Sequence, residues 1–383
     1  MLFINNDDVK RVLAIDDALR VLEDGHRELA EQALVARPRV DIYTETANPE
    51  RFHRWGTMEG SSKGLHRHAI RMKSDVVSWR DYGGSRVEDK FCVEPGLYCG
   101  LVFLLDTNTG EPLAFINDGY LQHIRVGALA GLGVRYLAKA DASVVGMLGS
   151  GGMAHSHLLA FAAVRNIQRV QVYSPTKANR ERYAREMQEQ LGVDVIPCDS
   201  PEAAVKGADI LAACTNSVRP IVFANLLEPG VHLTQVSSEW APDVYPRIDL
   251  GIGGDPASQV ITGVPIDDSH GFPSYLAGDY EALQHAWGAK NRYGTGGGHG
   301  VVASDGTVGG FHGQTVSLVD LIAGTGRGRE NDDQISCSGG VRGGGGKQGL
   351  QFVTVSSLVY DRAKEAGLGR EIPTEWFLQD IRN

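Results

Sequence analysis

The period of the apolar positions divides the chain in two. In the first third they fall in short runs. Residues 2–5 read as a strand, and Asp7 or Asp8 can cap a brief helix. Ile15 to Ala33 carries Ala18, Leu19, Leu22, Leu29 and Ala33 at helical spacing, and Pro38 closes the region. Residues 39–46, 69–79, 88–94 and 98–105 read as strands. The turn Asp106-Thr-Asn-Thr-Gly110 before Pro112 to Ile116 signals a hairpin. From Arg125 the period changes. A helix over Val126 to Ala138 leads into strands at 143–148, 169–173, 193–196 and 208–213, which alternate with helices at 153–165, 177–191 and 201–206. Alternation of this kind predicts a doubly wound parallel sheet. Strands at 231–236 and 248–252 follow, and a helix over Gln351 to Ala366 comes near the end.

Two glycine-rich stretches interrupt this order. Residues 294–313 hold Gly-Thr-Gly-Gly-Gly-His-Gly, then Gly306, Gly309, Gly310 and Gly313; Gly343 to Gly346 form the second. Their composition reads as flexible connection, with a catalytic lid as the alternative.

The most informative stretch lies where a strand hands over to a helix. Gly149, Ser150, Gly151, Gly152, Met153 and Ala154 stand in the order G-x-G-x-x-A after the apolar run that ends at Leu148. Gly149 permits the tight turn, Gly151 lets backbone N–H groups approach a pyrophosphate, and Ala154 lets helix and strand pack closely. The helix N-terminus adds unpaired N–H groups and a partial positive charge. A dinucleotide site is expected here. The next strand ends at Val172-Tyr173, where an acid would hold the ribose 2′-OH of NAD. The chain has Ser174, Thr176, Lys177 and Arg180 instead, hydroxyls and cations that suit a 2′-phosphate. NADP(H) is therefore expected ahead of NAD(H). A solvated helix face is the alternative for Lys177 and Arg180.

Composition narrows the class. A length of 383 residues allows two domains, and a net charge of −10 argues against a nucleic-acid or anionic-membrane partner. No apolar run reaches the length of a membrane span. The N-terminus lacks the basic and apolar regions of a secretion signal. The five cysteines are scattered and form no C-x-x-C pair. A cytoplasmic enzyme with inert thiols is the expectation. His66 and His68 lack an obvious third ligand, so no metal is assigned.

Several landmarks resemble the ornithine cyclodeaminase/mu-crystallin family: Pro38-Arg39, Arg71-Met-Lys73, Thr109-Gly-Glu-Pro112, Arg125-Val-Gly-Ala128, the glycine motif, Thr215-Asn216-Ser217 and Gly326-Arg-Gly-Arg329. The resemblance spans nearly the whole chain except the stretch at 294–313. It implies an α/β fold in which a Rossmann-type doubly wound parallel sheet, 126–344, is inserted in a second, β-rich α+β substrate and dimerisation domain, 1–125 plus 345–383. It also implies a homodimer, and hydride transfer between a nicotinamide and the α-carbon of a small amino or imino acid.

Residue roles follow from the same resemblance. Arg39 matches the arginine that contacts the substrate carboxylate, with Arg37 as its rival, and Arg125 matches the second such arginine. Lys73 matches the active-site lysine. From strand periodicity Arg71 shares its face, as a further anion contact. Glu94 and Tyr98 fall where a family loop approaches substrate, or form a plain turn. Thr215, Asn216 and Ser217 fall on the cofactor side. The main departure is Val236-Ser-Ser-Glu239-Trp240, where cyclodeaminases carry a catalytic aspartate; Glu239 is one methylene longer, which puts ornithine in doubt. His123 reads as a packed, hydrogen-bonded histidine, and His299 and His312 as low-ranked substrate contacts. The charged and aromatic group Arg51, His53, Arg54, Trp55, Trp79, Arg80 and Tyr82 suits either a larger, anionic substrate or solvated loops. Three activities compete: an imine reductase or amino-acid dehydrogenase first, a cyclodeaminase lyase second, and an NADP and small-ligand binding protein third.

Overall fold

The computed structural model describes residues 1–31, 33–82, 85–237, 239–253, 310–338 and 348–381, together with the backbone of 264–267 and 274–277. The glycine-rich runs 294–309 and 343–346, with His299, lie outside the described residues.

The first third opens with β1 (Leu2–Ile4), α1 (Asn6–Val12) and α2 (Ile15–Ala30). The Asn5 side chain, rather than Asp7 or Asp8, caps α1 by accepting from both their N–H groups. Three long antiparallel strands follow, β2 (Leu34–Glu45), β3 (Phe52–Ser62) and β4 (Arg67–Tyr82), then β5 (Ser85–Phe91), β6 (Cys99–Asp106) and β7 (Pro112–Asn117). Pro38 does not end the region; it sits inside β2, at a register shift between Arg37 and Val40. A bulge is where a strand tolerates proline. β3 has no counterpart in the sequence pattern. Its buried positions are Phe52, Arg54, Gly56, Met58, Gly60 and Ser62, so charge and glycine mask the period of two.

α3 (Gly119–Leu137) leads out of this sheet. It starts six residues before Arg125, so Arg125 lies buried in the second turn and not at the helix start. Next come β8 (Val144–Leu148), α4 (Gly152–Val164), β9 (Arg169–Tyr173), α5 (Lys177–Leu191), β10 (Asp194–Pro197), α6 (Pro201–Val205), β11 (Ile210–Ala213), β12 (His232–Gln235) and β13 (Leu250–Gly253). The remainder holds β14 (Val264–Asp267), β15 (Ser274–Ala277), β16 (Gln314–Ser317), α7 (Leu318–Ala323), β17 (Ser336–Cys337), α8 (Gln348–Glu365) and β18 (Arg370–Glu371).

Among the described residues these strands make two sheets. One runs β14-β15-β2-β3-β4-β6-β7-β1-β18, with β5 on β4. The other, all parallel, runs β10-β9-β8-β11-β12-β17-β13-β16. The chain order reverses beside β8, and a doubly wound sheet binds its ligand at such a switch point. β14 and β15 fall inside 126–344 but extend the first sheet, through β15 on β2. α8 returns to that sheet and packs on β2, β3 and β4. Its backbone approaches so closely that a Cβ on Gly349 would lie 1.7 Å from the Glu59 carbonyl oxygen. This return brings Gln351 and Phe352 to the functional cluster.

Candidate active site

Period two places Arg71, Lys73 and Asp75 of β4 on one buried face. β3 sets Arg54 opposite Asp75 and Gly56 opposite Lys73; β2 sets Asp41 opposite Gly56. Glycines make room for the acids. A Cβ on Gly56 would sit 2.5 Å from Asp41 Oδ1, and one on Gly100 would sit 1.9 Å from Asp118 Oδ1. Asp118 precedes α3, yet its carboxylate does not cap that helix. It accepts from Arg71 Nε at 2.5 Å instead.

The cluster is a chain of ion pairs. Arg39 grips Asp41 through Nε and Nη2, at 2.7 and 2.5 Å. Arg54 reaches Asp75 at 3.2 Å and Glu88 at 3.1 Å, and Lys73 also pairs with Asp75. Arg125 is the exception. Its hydrogen-bond partners among the described residues are neutral: Gln351 Oε1 at 2.6 Å and Gln122 Oε1 at 2.7 Å. The Phe352 ring lies under both Arg125 and Arg71, at 4.7 and 5.5 Å, which offsets part of the cost of burying them. Burial, then Arg71, pull Arg125 down to about 9. Burial and the neighbours Arg54, Lys90 and Arg39 push Lys73 well below the ordinary lysine value, and Asp75 only partly offsets them. Burial raises Asp41 and Asp75, but the surrounding cations outweigh it and hold both below the usual carboxylate range. Here an anion would meet a buried guanidinium that makes no ion pair among the described residues, and the same cluster holds a lysine suited to proton exchange.

The glycine turn lies at the C-terminal end of β8. Gly149 has φ +110, and a Cβ there would sit 2.2 Å from the Cys214 carbonyl oxygen, so only glycine fits. A Cβ on Gly151 would meet nothing within 4 Å. Protein packing therefore does not explain that glycine, whereas an open cradle at the N-terminus of α4 fits a pyrophosphate. Gly152 is explained by His123, whose Cε1 would lie 2.6 Å from its Cβ. His123 is thus half-buried against the glycine turn, not merely packed within its own helix. Met153 is half-buried, and Ala154 is fully buried with its carbonyl accepting from the Tyr183 hydroxyl at 3.1 Å. Ser150 donates to Ser174 at 2.9 Å.

The cations expected to meet a 2′-phosphate are differently placed. Lys177 is exposed, 3.8 Å from Glu181. Arg180 is buried; it donates to the Ser174 carbonyl at 3.1 Å and to Asp199 at 2.6 Å. Its charge is therefore already matched by Asp199, an acid that the sequence reading overlooked.

Glu239 does not join Lys73. It is fully buried beneath the loop after β11, accepting from Thr215 N at 3.0 Å, Thr215 Oγ1 at 3.1 Å and Ser237 N at 2.7 Å. Burial pushes it up to about 8 against these donors. Its contacts are those of a pin between two loops. Glu94 and Tyr98 are exposed on a turn in which Val93 has φ +70 and Gly96 has φ +97. Neither shares a hydrogen bond or ion pair with the cluster among the described residues. Arg37 pairs with Glu59 at the exposed side of the strand. Arg54, grouped above with loop residues, lies in a strand interior. Asp41, Asp75, Glu88, Asp118, Gln122, Gln351 and Phe352 were missed, and Arg54 was named only within the charged and aromatic group; a charge at an inward position of an amphipathic strand is the signal that marks Arg54 and Asp75. No three His, Cys, Asp or Glu residues gather as a metal site among the described residues.

Comparisons agree with this architecture. The model of the ornithine cyclodeaminase/mu-crystallin family matches residues 97–245. A Δ1-pyrroline-2-carboxylate reductase of Bacillus cereus is 30% identical over 276 residues, 71% of this chain and 74% of that protein. Among solved structures, the Thermococcus litoralis Δ1-pyrroline-2-carboxylate reductase in complex with NADH and L-proline superposes with a TM-score of 0.70 at 21% identity, covering 97% of this chain and 100% of the other. An archaeal alanine dehydrogenase dimer with bound NAD gives 0.69 at 20% identity, covering 97% of this chain and 99% of the other. Fold, glycine turn and sequence likeness together make the chain a member of the ornithine cyclodeaminase/mu-crystallin family.

Proposed function

We propose that the protein is an NAD(P)-dependent oxidoreductase that reduces the C=N bond of a small α-imino acid, or runs the same step backwards on the amino acid. The observation that carries this reading is Arg125, a buried guanidinium held by neutral amides and sharing the Phe352 ring with Arg71. Arg125, with Arg39 and Arg71, would bind the substrate carboxylate and fix the α-carbon. Lys73 would hold or deliver the proton at the substrate nitrogen. A bound nicotinamide cofactor would supply the hydride, and the residues to hold it are Gly149, Ser150, Gly151, Gly152, Met153 and Ala154 with Ser174, Thr176, Thr215, Asn216 and Ser217.

The lack of an acid at the end of β9 supports NADP(H) ahead of NAD(H), although Asp199 lowers the positive charge there. The relatives that bind proline or NAD(H) support a small amino or imino acid as substrate. A homodimer is supported by the outer face of the first sheet, where Ile70, Met72, Val76, Leu101, Phe103 and Phe115 stay half-exposed. Phe103 and Phe115 stack there at 4.6 Å. Cys92, Cys99, Cys198 and Cys214 form no disulfide, which supports a reducing, cytoplasmic compartment. No helix among the described residues is long and apolar enough to cross a membrane.

Oxidation of NADPH and NADH against a panel of cyclic imino acids, and of α-keto acids with ammonia or methylamine, tests the activity. L-ornithine is run beside them. Oxidation with one imine class is the expected result. Proline from ornithine without net cofactor change would replace the reductase by a cyclodeaminase.

A further inference from the structure

β4 is longer than the sheet that carries it. β3 pairs with it as far as Val77 and β6 only to Ser74, so Ser78–Tyr82 has β5 alone as a neighbour. This two-stranded ribbon leaves the first sheet and lands on the parallel one, at two places. On one side the Tyr82 hydroxyl lies 2.9 Å from Thr176 Oγ1, in the loop after β9. On the other, Val87 bridges to Ser217, Glu88 N donates to the Asn216 carbonyl at 3.2 Å, and Asn216 Nδ2 reaches the Glu88 carbonyl at 3.4 Å, in the loop after β11. Asp81 adds an ion pair to Arg219 at 3.4 Å.

The sheet order is β9-β8-β11, so the two landing points flank the loop after β8, which is the glycine turn. They stand two strand spacings apart, about 10 Å. The ribbon therefore bridges the turn that would hold a pyrophosphate. Resting on the cofactor reading above, we propose that the β4–β5 ribbon roofs the dinucleotide site, and that Tyr82 contacts the adenosine ribose. The adenosine half of the cofactor is then gripped from both sheets. Its hydroxyl faces the Thr176 hydroxyl, so the pair offers two polar groups to a ribose hydroxyl or its phosphate. Arg80 lies 5.0 Å over the Tyr82 ring, with its charge already met by Asp89.

Tyr82 is 47% exposed, so truncating it opens no core void. The test titrates NADPH and NADH into Tyr82→Phe, Tyr82→Ala and Asp81→Asn by nucleotide fluorescence, and measures melting with and without cofactor. Tyr82→Phe should weaken binding about threefold and Tyr82→Ala about tenfold or more, as loss of one hydrogen bond and then of the ring. Asp81→Asn should speed cofactor release. Melting without cofactor should stay as in the wild type, and only the cofactor-induced rise should shrink. Variants that bind both cofactors as tightly as the wild type would overturn the inference while leaving the cofactor reading intact. A wild-type protein that binds neither would overturn that reading, and the roof with it.

Discussion

The two sheets use opposite means to hold a ligand. The parallel sheet is apolar inside: Val145, Met147, Val170, Val172, Ile210 and Ala212 are all buried in one core. Its recognition surface lies at strand ends, where backbone N–H groups and glycines do the work. The first sheet buries charge on a strand face, where Asp41, Arg54, Arg71, Lys73 and Asp75 lie beside an apolar core that includes Met58, Ala69 and Val102. Side chains there must be charge-matched to stay buried, and the ion-pair chain does that. In the proposed function one sheet would bind through its backbone and the other through its side chains. Substitutions should therefore act in different currencies on the two: cofactor affinity on one, substrate and rate on the other.

The largest effect is expected at Lys73. Lys73→Met removes the ammonium yet keeps most of the volume. Turnover should fall by about 10² to 10⁴, the usual worth of a positioned acid or base, with NADPH affinity unchanged. The pH profile sharpens this. If the ammonium donates the proton in imine reduction, the rate falls as pH rises through its lowered pKa, in a range where an ordinary lysine stays charged. Wild-type turnover in Lys73→Met would remove the lysine from the mechanism and break the assignment of chemistry to the first sheet.

Arg125 comes next. Arg125→Gln should raise KM for the substrate about a hundredfold and leave cofactor binding alone, because a buried cation–carboxylate contact is lost. An equal loss for substrate and cofactor would show that the two sheets are not separate in function.

The same contrast explains what could be read from the chain. The cofactor turn is local: Gly149 to Ala154 are consecutive, and strand and helix flank them. The doubly wound sheet follows from alternation that needs no long-range knowledge. The substrate face is assembled from β2, β3, β4, α3 and α8, so each member is a lone charge in its own neighbourhood. Lys73, Arg39 and Arg125 were visible only through the family resemblance. Arg54 and Asp75 pair across β3 and β4, so each shows in its own strand only as a charge at an inward position, without its partner. Arg180 shows the converse hazard. Its position in sequence suggested a phosphate ligand, while Asp199, nineteen residues on, already neutralises it.

That pair supplies a smaller effect. Asp199→Asn removes the carboxylate and leaves Arg180 in place. The ratio of NADPH to NADH affinity should rise several-fold at most, as expected for one solvent-exposed charge near a 2′-phosphate. An unchanged ratio would take both residues out of cofactor selection.

The smallest effect on rate is expected at Glu239, which tests the comparison from its other side. An acid pinned by Thr215 and Ser237 and remote from the ion-pair chain should be replaceable by its neutral isostere. Glu239→Gln keeps one acceptor oxygen, for the Thr215 donors, and loses the one that meets Ser237 N, yet kcat should stay within about threefold of the wild type because neither contact reaches the ion-pair chain. Stability should respond instead, and its sign follows from the raised pKa. Burial favours the neutral acid, so its contribution is fully present below the ordinary value of 4.5 and is lost as pH rises through about 8. The wild type should therefore lose more Tm than the variant between pH 6 and pH 9, roughly. Parallel pH–Tm curves would mean that the carboxylate stays ionised under its three donors. A hundredfold fall in kcat with an unchanged fold would instead place Glu239 in the chemistry, and the parallel sheet would then supply a reacting side chain after all.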